Sequence, residues 1–377
     1  MQDQTTYSPR LQTSAGYPPS GGELIDASNG FAAIKAAFAS AKAKNPTKVR
    51  QFHCLFAGRS VRVRTVGQEL GEVAARSLAH LSIPDGQTAE AALSIDLWDG
   101  TETGIAWQMM AVQNGLGIDY WFSSSPDQRY VVMERQRELS WFDRKTRHIV
   151  GWITNSSEFN LAEQARVAYF PVLLWLHDLD IQVVHAGLVA ENGCGVLLAG
   201  ETGQGKSTTV LSCLTGGLDF LSDDHVWIEA DSNGGFIGHA LYASVNLRSR
   251  QFDSFPTLRP YAIHGKRPVE EKSLVFLHPL FPERIKYTTN IRAVAVPRII
   301  ESARSRFCPA PKAEAAVAMV QSSVLEWSFK RMPNAAARFE RMSRLLNSVP
   351  CFWLELGQDL NDIPRCVRGI IREVGSR

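Results

Sequence analysis

A glycine-rich segment in the middle of the chain has the residue types and spacing of a phosphate-binding loop. Its nine residues fit the pattern G-x-x-x-x-G-K-[ST]: Gly200, Glu201, Thr202, Gly203, Gln204, Gly205, Lys206, Ser207 and Thr208. In this pattern backbone N–H groups surround phosphate oxygens, the lysine reaches the β- and γ-phosphates, and the hydroxyl ligates Mg²⁺. An apolar run at 196–199 and a helical pattern at 206–214 predict the strand and helix that such a loop joins. The sequence therefore predicts a site for a nucleoside triphosphate, such as ATP, and Mg²⁺.

Two adjacent carboxylates, Asp223 and Asp224, follow Lys206 by 17 and 18 residues. Gly216-Gly217 is typical of a helix C-terminus, and residues 218–222 form a short apolar strand that leads back towards the loop. Neighbouring side chains on a strand point to opposite faces, so both carboxylates can face one site only if the strand ends there. The alternative interpretation is a solvated turn or a helix N-cap.

The strand that enters the loop comes from a hairpin. Residues 181–190 read as a strand, and Glu191-Asn192-Gly193 is typical of a tight turn. With His185-Ala186-Gly187 and residues 220–224, this segment resembles the catalytic core of HPr kinase/phosphorylase. The resemblance is strong over 185–227 and weaker at 296–298 and 349–357. It is closer to the HPr kinase-like proteins, some of which phosphorylate precursor peptides in lasso-peptide clusters.

The resemblance implies an α/β fold: a P-loop kinase core of HPr kinase and phosphoenolpyruvate carboxykinase type, with a mixed sheet. It also implies ATP- and Mg²⁺-dependent transfer of phosphate to a serine of a protein or peptide. Asp223 would be the base, and Asp224 would hold the metal with Ser207, although the reverse order stays open. Lys206 would neutralise phosphate charge, and His185 would contact a γ-phosphate oxygen or a carboxylate.

Two other function classes are compatible with the same motifs. One is a kinase for a free amino acid or another small hydroxyl compound. The other is a nucleotide-dependent regulatory NTPase, in which the two carboxylates position water. The loop pattern reads phosphates and not the base, so ATP and GTP are both compatible with it. The acceptor, the oligomeric state and any reverse phosphorolysis are likewise left open.

The length of 377 residues predicts two folded domains. We expect a disordered tail at 1–25, an α+β domain for substrate recognition or oligomerisation at 26–150, and the kinase domain at 151–377. Further expectations concern local elements: a helix at 31–43 capped by Ser28-Asn29, strands within 52–65 around Gly58, a helix at 68–81, a helix at 161–179 kinked at Pro171, and a mobile loop at 250–272.

Composition limits the remaining possibilities. The basic residues are scattered and no groove-reading motif accompanies them, which argues against a nucleic-acid partner, whereas the net charge of +2 argues neither for nor against any partner. The longest apolar stretch is ten residues, too short to span a membrane, and the six cysteines have no metal-site spacing. We therefore expect a cytoplasmic protein with reduced thiols that is able to form a homo-oligomer. Candidate cations around the nucleotide are Arg248, Lys266, Arg267, Lys272 and Arg298, with Lys272 favoured.

Overall fold

The computed structural model describes residues 27–84, 90–107, 120–135, 137–266, 271–324 and 335–375. The predicted tail at 1–25 and Arg267 lie outside these ranges. Within them the protein is a mixed α/β structure built on three sheets, which confirms the predicted fold class at that level.

The first sheet has seven strands in the order β1-β2-β3-β7-β6-β5-β4. Its elements are α1 (Ala27–Lys44), β1 (Val49–Phe56), β2 (Arg59–Val66), α2 (Gln68–Leu78), β3 (Leu93–Asp99), the short helix α3 (Gly100–Thr103), β4 (Tyr120–Ser124), β5 (Tyr130–Arg135), β6 (Glu138–Asp143) and β7 (His148–Ile153). The predicted strands around Gly58 are confirmed as the β1–β2 hairpin. The expected caps Ser28 and Asn29 are wrong, since both lie inside α1. Strand β7 continues to Ile153, past the predicted boundary at 150.

The helix predicted at 161–179 is two helices, α4 (Leu161–Ala165) and α5 (Tyr169–Asp178). The break lies at 166–168, where Ala168 has a φ of +61°, and not at Pro171. Proline has no N–H and is tolerated in the first turn of a helix, so α5 accommodates Pro171 without a kink. The break instead turns the backbone at Arg166 out of helical conformation.

The remaining elements follow in chain order: β8 (Gln182–Glu191), β9 (Cys194–Ala199), α6 (Lys206–Thr215), β10 (Asp219–Ser222), β11 (His225–Ala230), β12 (Phe236–His239), β13 (Ser244–Arg248), α7 (Gln251–Ser254), β14 (Ile263–His264), β15 (Lys272–Phe276), β16 (Thr288–Ile299), β17 (Arg306–Pro309), α8 (Lys312–Val324), α9 (Ala335–Ser348), β18 (Cys351–Leu356) and α10 (Asp362–Gly375). The strands predicted at 181–190, 196–199 and 218–222 and the helix predicted at 206–214 are confirmed to within a few residues.

The second sheet is mixed and closes on itself at one end. Strand β9 is antiparallel to β8 and parallel to β16. The pairings β16–β12, β12–β11 and β11–β8 are antiparallel and complete a ring of five strands. The predicted hairpin is confirmed, with a turn at Asn192-Gly193 where both residues have positive φ. The third sheet is small, in the order β13-β15-β14.

Of the segment predicted as a mobile loop, 250–272, the described residues 250–266 and 271–272 are mostly in secondary structure, and residues 267–270 lie outside the described ranges. It contains α7, a 3₁₀ helix at Pro256–Tyr261, and β14, which pairs with β15. Phe252, Phe255 and Leu258 are buried in the core beneath it. These apolar side chains hold the backbone in place, and Pro256 stands at the start of the 3₁₀ helix, a position that proline tolerates.

One hydrophobic cluster joins the first sheet to the rest of the chain. It contains Phe56 and Leu97 from the first sheet, Trp175 from α5, and Trp227 and Tyr242 from the region of the second sheet. The proposed division into two domains stays a prediction, but the two sheets share this core. Because they do, we expect them to unfold together.

Two composition-based expectations concern thiols and membranes. All six cysteines are free, and Cys54, Cys213, Cys351 and Cys366 are buried. Burial raises the pKa of the Cys54 thiol to about 12, which keeps it protonated and unreactive. No helix among the described residues is long and apolar enough to cross a bilayer.

The shared core gives the first prediction. Phe56 is fully buried, so Phe56→Ala is expected to lower the free energy of unfolding by about 3–5 kcal/mol through the cavity it leaves. Thermal unfolding followed by circular dichroism should show one transition, shifted as a whole. The control is Phe339→Ala, since Phe339 is 52% exposed and its loss should change stability by about 0.5 kcal/mol or less. Two separate transitions, only one of which shifts, would contradict a shared core.

Candidate active site

The glycine-rich loop connects β9 to α6 at the carboxyl end of the β9 strand. Gly203 and Gly205 have φ values of +95° and +96°, a region that other residues rarely adopt. A Cβ atom at Gly205 would also lie 2.5 Å from Leu356 Cδ1. The first turn of α6, which begins at Lys206, has backbone N–H groups without intrahelical partners, as every helix start has. The local geometry is therefore that of an anion-binding helix N-terminus behind a glycine loop.

Lys206 is buried against this loop. Its Nζ donates hydrogen bonds to Gly200 O at 2.5 Å and to Glu201 O at 3.1 Å. The Gln204 side chain accepts a hydrogen bond from Glu201 N–H, which closes the loop from the other side. The ammonium group is thus held over the loop, where a phosphate group bound by the loop amides would meet it.

Strand β10 ends at Ser222. Asp223 and Asp224 therefore lie beyond the strand, where both carboxylates can face one site. The register of its pairing with β8 shifts between Phe220 and Ser222. The backbone then bends at Asp223 and Asp224, and Asp224 O accepts a hydrogen bond from Ala186 N–H at 3.1 Å. Both carboxylates consequently line the same cleft.

Asp223 is the more buried of the two, with 7% of the residue exposed. The Ser207 hydroxyl lies beside its carboxylate, and its Oδ1 is buried without a hydrogen-bond partner. Burial, and next the negative charge of Asp224, raise the pKa of Asp223 to about 6, although Ser207, Lys206 and Lys272 oppose the rise. Asp223 is therefore a carboxyl group that titrates near neutral pH next to the phosphate loop.

Asp224 has the opposite environment. Its side chain is 40% exposed to the cleft, and Arg166 Nη2 donates to its Oδ2. His185 Nε2 lies 3.1 Å from Oδ1, and His225 Nδ1 lies 3.2 Å from Oδ2. Burial would raise the pKa of Asp224, but His225, Arg166 and His185 together hold it well below its usual range. Asp224 is therefore ionised throughout the physiological pH range.

The two histidines of this cluster come from neighbouring strands, since His185 on β8 pairs with His225 on β11. Their rings stack with centroids 5.8 Å apart and an interplanar angle of 27°. Arg166 Nη1 lies 2.9 Å from His225 Nδ1, so the three basic groups form one cluster around Asp224. The sequence motifs point to His185 but not to Arg166 or His225. The position of His225 directly after the acidic pair was a signal that could have identified it. Arg166 gave no such signal, because it enters the site only through the break between α4 and α5.

The candidate cations separate into two groups. Lys272 lies at the edge of the cleft and contributes to the charge around Asp223. Lys266 Nζ instead donates to Ser157 O, and Arg248 lies at the exposed end of β13. Arg298 pairs with Glu355 and stacks on Trp353, 4.4 Å from the ring centroid. Of these residues the structure brings only Lys272 to the carboxylates, and Arg267 is outside the described residues.

The cleft itself has a volume of about 600 Å³. Its walls come from the start of α4, the first turn of α6, the β10–β11 bend, β13 and the start of β15: Asn160, Leu161, Ala162, Ser207, Asp223, Asp224, Ser244, Asn246 and Lys272. This volume lies in the range of ordinary ligand sites, and it has room beyond the carboxylates for an acceptor.

The residues present fit Mg²⁺ bound together with a phosphate group. Asp223 Oδ1 is a buried oxygen with no partner, and the Ser207 hydroxyl lies against the same carboxylate. Among the described residues there is no cluster of three or more His, Cys, Asp or Glu side chains able to hold a metal alone. Mg²⁺ usually takes one or two carboxylates and completes its shell with waters and substrate phosphates.

Comparison with known proteins gives little further support for any particular function of the cleft. No family model matches the sequence, and no curated protein matches it. Among solved structures, the HPr(Ser) kinase/phosphatase from Coxiella burnetii is similar over 51% of this chain and 95% of that chain, with 12% identity and a TM-score of 0.26. This is a distant structural relationship, and at that TM-score it carries no argument about function. The functional argument therefore rests on the residues of the cleft.

The contrasting carboxylates give the second prediction. Above pH 6 the folded protein carries the Asp223 charge at a cost, because its pKa lies about two units above its ordinary value. Asp223→Asn is therefore expected to raise the free energy of unfolding at pH 7.5 by about 1–3 kcal/mol. This gain should disappear as the pH falls below about 4, where the carboxyl is protonated in both states.

Asp224→Asn is the matched comparison, and the expected sign is opposite. The ionised form of Asp224 is stabilised by its basic partners, so its contribution is present at neutral pH and lost in acid. Urea unfolding of both variants at pH 7.5 and pH 4 would measure these effects. Destabilisation by both substitutions at pH 7.5 would show that Asp223 is not held in an unfavourable charged state.

Proposed function

We propose that the protein is an ATP- and Mg²⁺-dependent kinase of HPr kinase-like type that phosphorylates a serine hydroxyl of a protein or peptide. The observation that carries this proposal is the arrangement at Asp223, a buried carboxylate with an unpartnered oxygen beside Ser207 and the glycine-rich loop. Phosphoryl transfer needs positioning of the phosphate, neutralisation of its charge, and an acceptor for the hydroxyl proton. The cleft offers a separate group of residues for each of these three requirements.

The loop residues, Gly200 to Thr208, supply the phosphate site. The N–H groups at the start of α6 would bind β- and γ-phosphate oxygens, and Lys206 would exchange its contacts with Gly200 O and Glu201 O for phosphate oxygens. Lys272 lines the same cleft and would add positive charge near the phosphates. These groups hold the transferring phosphate in place and balance its charge.

Ser207 and Asp223 would hold Mg²⁺, which when bound neutralises charge on the β- and γ-phosphates. This reverses the order that the resemblance first suggested, an order that the sequence left open. The reason is geometric: Asp223 contacts the Ser207 hydroxyl, whereas Asp224 faces the open cleft and its basic cluster. Bound metal would also remove the cost of ionising Asp223 in a buried position.

Asp224 is then the group that receives the acceptor proton. Its carboxylate is ionised and accessible from the cleft, and His185, His225 and Arg166 fix its orientation. The serine hydroxyl would donate its proton to Asp224 as its oxygen bonds to the γ-phosphorus and the bond to the ADP oxygen breaks. His185 and Arg166 act through Asp224, so they are positioning residues in this scheme.

The third prediction is tested by incubating the purified protein with Mg-ATP and the peptides encoded beside its gene. The masses of the peptides are then measured by mass spectrometry. We expect one phosphate on a peptide serine. Lys206→Ala should lower the rate about 100-fold or more, because it removes a charged contact to the transferring group. The matched control is Lys266→Ala, a lysine whose contact with Ser157 O lies outside the cleft, and it should label peptide at the wild-type rate.

The other function classes give different results in the same assay. Phosphorylation of free serine without any peptide product would favour a small-molecule kinase. Phosphate release that is independent of any acceptor would favour a nucleotide-dependent switch. Either outcome would overturn the peptide-kinase proposal while leaving nucleotide binding at the loop intact.

A further inference from the structure

Strand β13 is an edge strand that borders the candidate active site. In the third sheet it pairs with β15 on one side, and among the described strands none pairs with its other side. Val245 and Leu247 point into the core, whereas Ser244 and Asn246 line the cleft that contains Asp223 and Asp224. An unpaired edge next to a catalytic cleft exposes backbone hydrogen-bonding groups that need a partner.

The direction of these backbone groups follows from the strand register. Leu277 N–H donates to Ala243 O at 2.8 Å, and Ser244 lies opposite Phe276. In an antiparallel pair, residues alternate between those that bond to the partner strand and those that point away. The residues at 243, 245 and 247 therefore bond to β15. Ser244 and Asn246 direct their N–H and C=O groups to the outer edge.

The end of the strand agrees with this alternation. Arg248 continues the even-numbered series, and its N–H donates to the Gln251 side chain at 2.9 Å and not to β15. The local sequence also lacks the usual protection of an edge, since Ser244 and Asn246 are uncharged and the strand contains no proline. Exposed arginines, Arg248 and Arg250, stand only at its carboxyl end.

We propose that the acceptor polypeptide binds as an extended strand along the outer edge of β13 and so carries its serine to Asp224. This proposal rests on the proposed function. Up to four backbone hydrogen bonds with Ser244 and Asn246 would hold the segment, which is the mode of recognition by strand addition. The ligand class is an unfolded segment of several residues, tolerant in sequence along the edge and favouring acidic side chains near Arg248 and Arg250. A free amino acid is too short to use both residues of the edge.

Proline at position 246 tests the backbone contact directly. An N–H that points away from the ladder can be removed without breaking the sheet, so Asn246→Pro should preserve the β13–β15 pairing. Asn246→Ala is the matched control, because both variants lose the side chain but only proline loses the N–H. The substrates are synthetic peptides of random sequence with one central serine, labelled from γ-labelled ATP, with free serine assayed in parallel.

We expect the KM for peptide to be about tenfold or more higher in Asn246→Pro than in Asn246→Ala, the effect of one lost hydrogen bond and its unpaired partner. The Kd for a fluorescent ATP analogue should be the same in both. Equal peptide KM values in the two variants would overturn strand addition while the kinase proposal stands. Phosphorylation of free serine alone, or ATP turnover without labelled peptide, would overturn the proposed function and this inference together.

A second measurement covers the case in which Asn246→Pro does not fold. Peptides N-methylated at one backbone position at a time are assayed with the unaltered enzyme. Binding by strand addition should lose affinity at every second position around the serine, because alternate peptide N–H groups face β13. Equal tolerance of N-methylation at all positions would contradict the proposal.

Discussion

The candidate site depends on one constraint: two adjacent carboxylates must enter the same cleft in different electrostatic environments. A continued strand would send Asp223 and Asp224 to opposite faces. The end of β10 at Ser222 and the shift in its pairing with β8 remove that alternation. Asp223 then lies buried beside Ser207, and Asp224 lies among three basic side chains. The different pKa values of the two groups follow from this backbone geometry.

The basic cluster around Asp224 ties the site to the rest of the fold. His185 and His225 are neighbours across β8 and β11, and Arg166 comes from the break between α4 and α5. Tyr169, the first residue of α5, packs its ring 5.5 Å from that of His225 and belongs to the core shared with the first sheet. The orientation of Asp224 is therefore supported by packing that reaches well beyond the cleft. Residues far from the chemistry can affect the site through this packing, and the first sheet has at least this structural role.

Local patterns in the sequence were enough to predict the central elements of the site. The glycine loop, the hairpin turn at Asn192-Gly193 and the strand before the carboxylates all depend on residues close together in the chain. The family resemblance carried by the same segments implied an α/β fold, and the mixed α/β structure agrees with it at that level. The helix and strands predicted around the loop were also right to within a few residues, because their buried residues form short apolar runs next to turn glycines.

What the sequence did not show depends on tertiary contacts. Arg166 lay inside a continuous helical pattern, and only the packed structure reveals the break that brings it to Asp224. The 250–272 segment looked loop-like because of its prolines, yet buried Phe252, Phe255 and Leu258 fix it. The choice of Asp223 for the metal and Asp224 for the proton rests on the position of Asp223 beside Ser207. Residue spacing alone cannot specify that position. The free edge of β13 likewise appears only once the strand pairing is known.

The proposed metal site consists of Ser207 and Asp223, which would hold a divalent metal together with a nucleotide bound by the glycine loop. Its most direct test is the binding of Mn²⁺, used as a spin probe in place of Mg²⁺, measured by electron paramagnetic resonance with a non-hydrolysable ATP analogue. We expect tight Mn²⁺ binding only when nucleotide is present, and we expect Asp223→Asn to weaken it about tenfold or more. Asp224→Asn should leave that affinity near the wild-type value. Loss of Mn²⁺ binding in Asp224→Asn but not in Asp223→Asn, or no nucleotide-dependent binding at all, would contradict the account.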